Sequence, residues 1–275
     1  MHQTIKRILI PTDYSPNATR ATEFGLQLAE KLHAEVVLLH CYHFPMTSSE
    51  DMVYVAKMKE GELEKLKEVG DAVAAKHKNL SISCLADYGS AVDLIESTSE
   101  KEKIDLIVMG TKGETNGLDA VLGSVASNTI NNVKCSVLVI PEETRELSIE
   151  EIVLATDFHE TKNSKFYWPL LYILDKTDAS VSIVNVKEDI DLAEVPSRTE
   201  LETDHIFGAY KHSHHFLESD NVEEALFDFS NIHEADMIVI VTKHYNLWQR
   251  LFHKSMAKKL ALHSTIPLLV LHEDA

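Results

Sequence analysis

The residues that decide how this chain folds are Val-Met-Gly-Thr-Lys-Gly at 108–113, followed by Val-Leu-Gly-Ser-Val at 121–125. The first run begins apolar and reaches a glycine, which is typical of a buried strand that ends at a turn. Gly123 and Ser124 open an amphipathic stretch, so a helix is predicted to begin there. The chain therefore passes from a strand through a glycine-bearing loop to a helix N-terminus.

A loop of this kind suits a phosphate group. Gly110, Gly113 and Gly123 would let the backbone approach an anion closely. The first amides of the helix, at Ser124 and Val125, would supply hydrogen-bond donors. The Walker sequence and the dinucleotide fingerprint of three closely spaced glycines are both absent from the loop. A simple strand-to-helix connection that binds nothing remains the alternative.

Composition narrows the classes of function. The chain has 275 residues, 44% hydrophobic and 25% charged, which is enough for two medium-sized globular domains. Asp and Glu number 44 against 26 Lys and Arg, giving a net charge of -18. Nucleic acid and anionic membranes are therefore not expected as partners. Residues 1–7 lead into a short strand instead of an apolar signal core, so a cytoplasmic location is expected.

No catalytic group stands out in the sequence. Cys41, Cys84 and Cys135 lie in apolar, strand-like runs without the spacing of metal ligands, which favours buried inert thiols over disulfides or a redox pair. Ser124 has no histidine placed near it by sequence, and Ser15, which precedes Pro16, is better explained as a helix cap. No catalytic residue is therefore assigned.

Strand-like and helix-like segments alternate through the first half. Strands are predicted at 8–13, 36–41, 81–86, 105–109 and 136–140, and helices at 15–33, 49–76, 90–103 and 124–132. Continuous β-branched and aliphatic runs such as 36–41 are typical of strands covered on both faces of a parallel sheet. We therefore expect a doubly wound α/β sheet, with any ligand beyond the carboxyl ends of its strands.

The second half repeats the first. Residues 152–158 match 8–14 in character, residues 235–240 match 104–109, and residues 266–271 match 135–140. The chain is therefore interpreted as two copies of one domain, residues 1–142 and 149–275, joined by a short polar linker at 141–148.

The copies differ in the glycine loop. Where the first has Gly110, Gly113, Gly123 and Ser124, the second has Val241, His244, Lys254 and Ser255. Only the serine is kept, so the second loop has lost the glycines that allow close approach to an anion. A phosphate site is expected in the first domain alone.

These features resemble the universal stress protein family in its tandem form, over nearly the whole chain. Gly110, Gly113, Gly123 and Ser124 satisfy the family's nucleotide motif of Gly, two residues, Gly, nine residues, Gly and Ser or Thr. Pro-Thr-Asp at 11–13 and Leu-Leu-His-Cys at 38–41 also look like its ATP-binding branch. The resemblance implies two Rossmann-like domains, each a five-stranded parallel sheet ordered 3-2-1-4-5 and flanked by helices.

The resemblance also implies roles for individual residues around ATP, with Mg²⁺ as its companion ion. Gly110 would lie near the ribose, and Asp13 would lie near the ribose or the metal. The backbone of Cys41 would form hydrogen bonds with the edge of the adenine. The residues around the phosphates would be Gly113, Gly123, Ser124 and Val125, and those shaping the pocket floor would be Pro11 and Thr12. A carboxylate at a strand end can accept from hydroxyls or hold Mg²⁺, although Asp13 could equally stabilise the turn.

Histidine is abundant, 15 residues in all. His212 and His214 would share one face of a strand at a period of two residues, and with a third ligand they could bind Zn²⁺. No cysteine or second close histidine pair completes the set. Solvated imidazoles at the start of a strand are the alternative.

The main functional hypothesis is an ATP-binding regulator or adaptor of the stress response, with one ATP site in the first domain and an unknown protein partner. The alternatives are a slow ATP hydrolase on the same fold, or a scaffold that binds no nucleotide or takes a small ligand in the second half. Hydrolysis needs a water-activating group near the phosphates, and none can be placed from the sequence.

An expectation about assembly rests on the fifth strand of each domain, residues 137–140 and 268–271. Both runs are apolar and would lie at open sheet edges, where they would promote aggregation if left bare. The family resemblance implies that they pair antiparallel across a pseudo-twofold axis within the chain. A homodimer would then use another surface.

Overall fold

The computed structural model describes residues 3–44, 51–77, 79–111, 123–144, 147–156, 164–187, 203–242 and 265–273. The chain separates into two compact units. One unit spans Ile5–Glu142 and the other contains Glu143–Ala275. Among the described residues, no helix is both long and apolar enough to cross a membrane.

The first unit is a five-stranded parallel sheet flanked by helices. Its strands are β1 (Arg7–Thr12), β2 (Glu35–Tyr42), β3 (Ile82–Tyr88), β4 (Leu106–Gly110) and β5 (Ser136–Ile140), and its helices are α1 (Pro16–Leu32), α2 (Asp51–Ala74), α3 (Ala91–Lys101) and α4 (Ser124–Asn132). The strand order is β3-β2-β1-β4-β5, with every neighbouring pair parallel. The order 3-2-1-4-5 is confirmed.

The second unit repeats this order. Its strands are β6 (Glu151–Ala155), β7 (Ser180–Lys187), β8 (His212–Glu218), β9 (Met237–Thr242) and β10 (Leu268–His272). They are arranged β8-β7-β6-β9-β10, again all parallel. A 3₁₀ turn (Ser164–Tyr167) leads into α5 (Trp168–Thr177), and α6 (Val222–Ile232) lies between β8 and β9 in the chain. Residues 203–207 form one further helical turn.

Helix α1 begins and ends where the sequence predicts. The hydroxyl of Ser15 accepts from the amide of Ala18 at 3.2 Å and Pro16 occupies the first turn, where its missing N–H costs nothing. His33 closes the helix in the left-handed region, at φ 54°. Its apolar face packs on β1 and β4; that face includes Ala21, Phe24, Leu28 and Leu32, all buried.

An aspartate just before β4 ties the start of β1 to the sheet. Asp105 Oδ2 accepts from the backbone amides of Lys6 at 2.7 Å and Arg7 at 3.0 Å. In the repeat, Asp236 Oδ2 accepts from the amides of Glu150 and Glu151 at 2.7 and 3.2 Å. The first strand of each domain is therefore aligned by a charge-assisted pair of hydrogen bonds. The sequence places Asp105 inside the strand, whereas in the structure it precedes β4 and serves as this clamp.

We predict that Asp105→Ala lowers the free energy of unfolding of the first domain by about 1.5–3 kcal/mol, because two amides lose a charged acceptor. The matched control is Glu100→Ala, which removes an exposed ion pair with Lys134 and should cost no more than about 0.5 kcal/mol. Urea unfolding measures both. Equal losses in the two variants would contradict the clamp.

Candidate functional site

A cleft opens at the carboxyl edge of the first sheet, where β1, β2 and β4 end and α4 begins. It contains about 560 Å³ of space between protein atoms, a volume that includes open solvent. The residues that line it are Pro11, Thr12, Asp13, Ala18, Leu39, Cys41, Ala91, Ile95, Met109, Gly110, Thr111, Gly123, Val125 and Ala126. Most of these side chains are apolar or small.

The cleft brings together most of the residues that the sequence singles out. Seven of the nine line it: Pro11, Thr12, Asp13, Cys41, Gly110, Gly123 and Val125. Ser124 is the exposed first residue of α4 and lies beside the lining. Gly113 lies outside the described residues.

The cleft opens because β1 stops pairing with β4. The carbonyl of Arg7 accepts from the backbone amide of Asp105, so the main-chain groups of Arg7 point toward β4. Main-chain groups alternate in direction along a strand, and the backbone groups of Leu9 and Pro11 therefore point toward β4 as well. Proline has no N–H to donate, and the β1–β4 ladder ends at Leu9↔Ile107.

The second domain has an alanine at the position of Pro11, and there the pairing continues. The ladder between β6 and β9 extends from Ile152↔Met237 to Ala155↔Ile240. Ala155 has a backbone N–H that can join such a ladder, whereas Pro11 does not. The end of β1 therefore separates from β4 at Pro11, whereas the end of β6 stays paired with β9 at Ala155.

Asp13 has a structural task as well as a place in the cleft. Its Oδ1 accepts from the backbone amide of Ser15 at 3.1 Å, and Thr12 Oγ1 accepts from the amide of Tyr14 at 3.1 Å. Tyr14 itself lies in the left-handed region at φ 64°, which these bonds help to hold. The turn-stabilising interpretation of Asp13 is therefore confirmed, and Asp13 also lines the cleft.

The N-terminus of α4 borders the cleft without a side-chain cap. Gly123 is the N-cap residue; its amide donates to the carbonyl of Thr111 at 2.6 Å and its carbonyl accepts from Ser127 at 3.0 Å. A glycine has no side chain to accept from the first helical amides, so these donors and the positive end of the helix dipole suit an external anion.

Asn17 organises this edge, and the sequence gives no sign of it. The side chain is buried; its Nδ2 donates to the carbonyl of Ile140 at 3.1 Å, and its Oδ1 accepts from Thr111 Oγ1 at 3.2 Å. The amide of Thr111 donates to the same Ile140 carbonyl at 3.2 Å. One amide side chain thus joins α1 to the ends of β4 and β5.

Gly110 is a glycine because of Asn17. A Cβ atom at position 110 would lie 2.5 Å from Asn17 Oδ1 and 2.9 Å from Asn17 Cγ, closer than non-bonded atoms approach. The first glycine of the motif is thus required by the protein's own packing, whatever the cleft binds.

Burial keeps the cysteine thiols protonated. The pKa of Cys41 is raised to about 12, first by burial and then by the nearby Asp87. Burial likewise raises the pKa of Cys135 to about 12 and that of Cys84. All three are free and only partly exposed, so they are neutral at physiological pH and poor nucleophiles. This agrees with the expectation of inert thiols.

Behind the cleft, His40 links β2 to β1. His40 is buried, and its Nδ1 lies 2.8 Å from the carbonyl of Thr12, to which it must donate. The ring packs against that of Tyr14 at 4.5 Å between centroids. The Lys65 ammonium lies 4.0 Å from the Tyr14 ring centre. Burial, with the charge of Glu62 as the second cause, raises the pKa of Tyr14 to about 12, so its hydroxyl stays neutral.

The second domain keeps this link with a different side chain. Asn185 Nδ2 donates to the carbonyl of Thr156 at 2.8 Å, as His40 does to Thr12. Of the residues at the glycine positions of the second domain, Val241 lies in β9, while His244 and Lys254 lie outside the described residues. Asp157 and Ser255, which match Asp13 and Ser124, also lie outside them. The strand-to-strand support is thus common to both domains, whereas the glycines are not.

The two histidines singled out by the sequence lie close to an aspartate that it does not suggest. His212 Nε2 and His214 Nε2 each lie 2.9 Å from Asp204 Oδ1. The hydrogen bonds from both histidines lower the pKa of Asp204, and the bond to Asp204 raises that of His212. Asp204 belongs to a separate helical turn, so no sequence period relates it to the histidines.

Both halves of the sequence match the model of the Universal stress protein family, over residues 4–141 and 149–272. The chain therefore belongs to this family, in a form with two family domains in tandem. The family and the tandem arrangement expected from the sequence are confirmed.

Individual relatives agree with this assignment. Universal stress protein MJ0531 of Methanocaldococcus jannaschii is 32% identical over 150 residues, 51% of this chain and 85% of that protein. Universal stress protein MJ0577 of the same organism is 29% identical over 152 residues, 49% of this chain and 94% of that protein. The crystal structure of a universal stress protein from Archaeoglobus fulgidus matches with a TM-score of 0.76 and 19% identity, covering 98% of this chain and all of that one. At that identity the likeness concerns the fold alone.

We predict that Gly110→Ala destabilises the nucleotide-free protein by about 1–3 kcal/mol, because the added methyl group displaces the buried amide of Asn17. In an Asn17→Ala background the same substitution should cost at least about 0.5 kcal/mol less. Urea unfolding of the four proteins of this cycle measures the coupling.

The control for this cycle is Gly61→Ala on α2, where an added Cβ would meet nothing within 4 Å. It should stabilise by about 0.5–1 kcal/mol, the usual helix preference for alanine. A Gly110→Ala cost that is the same with and without Asn17 would show that another contact excludes the side chain.

Proposed function

We propose that the first domain, residues 1–142, binds one adenine nucleotide, ATP with Mg²⁺, and that the protein acts as a nucleotide-dependent regulator or adaptor of the stress response. A single observation carries the proposal. Residues from the ends of β1, β2 and β4 and from the start of α4 line one cleft, and they include seven of the nine residues that the family resemblance assigns to the nucleotide.

The described residues fit such a ligand chemically. The uncapped amides at the start of α4, beside Gly123 and Val125, would hold the phosphates. The end of β2 at Cys41 would offer backbone groups to the adenine edge, and the neutral thiol there adds no charge. Asp13 would hold Mg²⁺ or accept from the ribose hydroxyls. The apolar lining around Leu39 and Ile95 suits a flat aromatic base.

The lining favours binding over hydrolysis. Cys41 and Asp13 are the titratable side chains among the described lining residues. The thiol is neutral, and with Asp13 assigned to Mg²⁺ or the ribose, no second carboxylate lies among the described lining residues. A base that activates water needs an available lone pair close to the phosphates. The proposal is therefore a protein that signals by being occupied, with turnover at most slow.

The first test concerns stoichiometry and the phosphate end. Calorimetric titration with MgATP should give one site per chain, because the second domain lacks the glycines. Gly123→Val should weaken binding at least about tenfold, since a branched side chain would occupy the space that a phosphate needs beside the helix amides. Thermal denaturation checks this independently: ligand at about a hundred times its Kd adds about 2.7 kcal/mol to stability.

The control is Gly61→Val, the same substitution at an exposed position on α2 that is not among the cleft lining residues; it should leave ATP affinity unchanged. Two equivalent sites per chain would contradict the difference between the domains. Normal ATP binding by Gly123→Val would show that this helix end does not hold the phosphates.

A second test separates the two tasks of Asp13. Asp13→Asn keeps an oxygen that can accept from the amide of Ser15, so the turn and the melting temperature should be preserved. The lost negative charge should weaken binding of MgATP several-fold, while binding of ATP in the presence of a chelator should be unchanged or improved. Parallel titrations with and without Mg²⁺ measure this. Equal affinity for MgATP in both proteins would leave Asp13 as a turn residue only.

A further inference from the structure

Three metal-ligating atoms converge on the edge strand of the second sheet. His212 Nε2, His214 Nε2 and a carboxylate oxygen of Asp204 all lie within 4.8 Å of one another. Both histidine side chains are mostly buried, 18% and 15% exposed, whereas that of Asp204 is 49% exposed. We propose that these three residues bind a divalent transition-metal ion, zinc in the first instance, independently of the nucleotide site.

The orientation of His212 favours a cation at this point. Its Nδ1 lies 3.1 Å from the carbonyl of Tyr210, an acceptor, so Nδ1 carries the proton. A neutral ring then presents the Nε2 lone pair to Asp204 Oδ1, which itself offers only lone pairs. A cation between them, either a second proton or a metal ion, removes this repulsion. A ligating histidine whose other nitrogen donates to a backbone carbonyl is the usual arrangement around zinc.

The fold holds the three ligands in place. His212 and His214 are alternate residues of β8, so they project from the same face. Asp204 lies in the helical turn at 203–207, which is anchored by the fully buried ring of Phe207. That ring packs edge-on against Tyr167 at 5.4 Å. The aspartate is thus positioned by a core contact and not by a free loop.

The neighbouring histidine shows that the arrangement is specific. His215 projects from the opposite face of β8, where its ring packs 4.7 Å from Phe229 and its Nε2 bonds to Ser213 Oγ at 2.8 Å. Strand alternation alone puts His215 on that face; what distinguishes His212 and His214 is the carboxylate of Asp204 beside them. The pair that shares a face with Asp204 is the pair that can chelate.

The donor set selects the ion. Two imidazole nitrogens and one carboxylate suit Zn²⁺ and its transition-metal neighbours, whereas Mg²⁺ and Ca²⁺ prefer oxygen ligands. Three protein ligands leave one position of a tetrahedral zinc for water or another donor. The bound ion would fasten the turn at 203–207 to β8.

The test is calorimetric titration of the full-length, chelator-treated protein with ZnCl₂. We expect one Zn²⁺ per chain, no response to MgCl₂ at the same concentrations, and a higher melting temperature with zinc. Asp204→Asn and His214→Gln should each reduce zinc affinity at least about tenfold, because each removes a ligand. Asp204→Asn keeps an oxygen that can accept hydrogen bonds, so circular dichroism should show an intact fold.

His215→Gln is the matched control: it removes a histidine from the same strand but the opposite face, and zinc affinity should be unchanged. In all these variants ATP affinity, measured without zinc, should equal that of the parent, which separates this proposal from the nucleotide site. Absence of zinc binding would overturn the proposal. The two histidines would then contact Asp204 through hydrogen bonds only. Zinc binding that Asp204→Asn and His214→Gln do not weaken would also overturn the proposal, because the ion would then lie elsewhere.

Discussion

Strand β1 is clamped to β4 at one end and released from it at the other, and the candidate site depends on this difference. At the amino end, Asp105 accepts from the amides of Lys6 and Arg7, which fixes the alignment of the two strands. Farther along, Pro11 faces β4 without an N–H, and the ladder ends at Leu9↔Ile107. The strands are therefore aligned where the fold needs register and apart where a ligand needs room.

The order of elements could be predicted because local physics dictates it. Alternating buried strands and amphipathic helices allow few right-handed arrangements, and Ser15 and Pro16 mark the start of α1 as cap and first helical residue. The cleft residues could be predicted for a related reason: the carboxyl ends of parallel strands meet at one edge, Gly110 marks the end of β4, and Gly123 marks the start of α4. The part of the site that could be predicted from the sequence thus consists mostly of backbone positions at strand and helix ends.

The side chains that support the site could not be predicted. Asn17 looks like any polar residue in the first turn of a helix, and only the packed structure shows its bonds to Ile140 and Thr111. Asp204 meets His212 through tertiary packing of a separate helical turn. Such contacts join residues that are distant in the chain or belong to different elements. No periodicity in the chain records them.

The contact between Gly110 and Asn17 bears on how the two halves of a duplicated chain diverge. The position of Gly110 is occupied in the second half by Val241, which lies in β9. In the first half a side chain at this position and the buried amide of Asn17 exclude each other. Replacement of this glycine therefore requires a different arrangement of the protein interior as well as a change at the ligand site. Loss of this glycine in a duplicated domain can thus record internal repacking and need not mark the moment at which a ligand was abandoned.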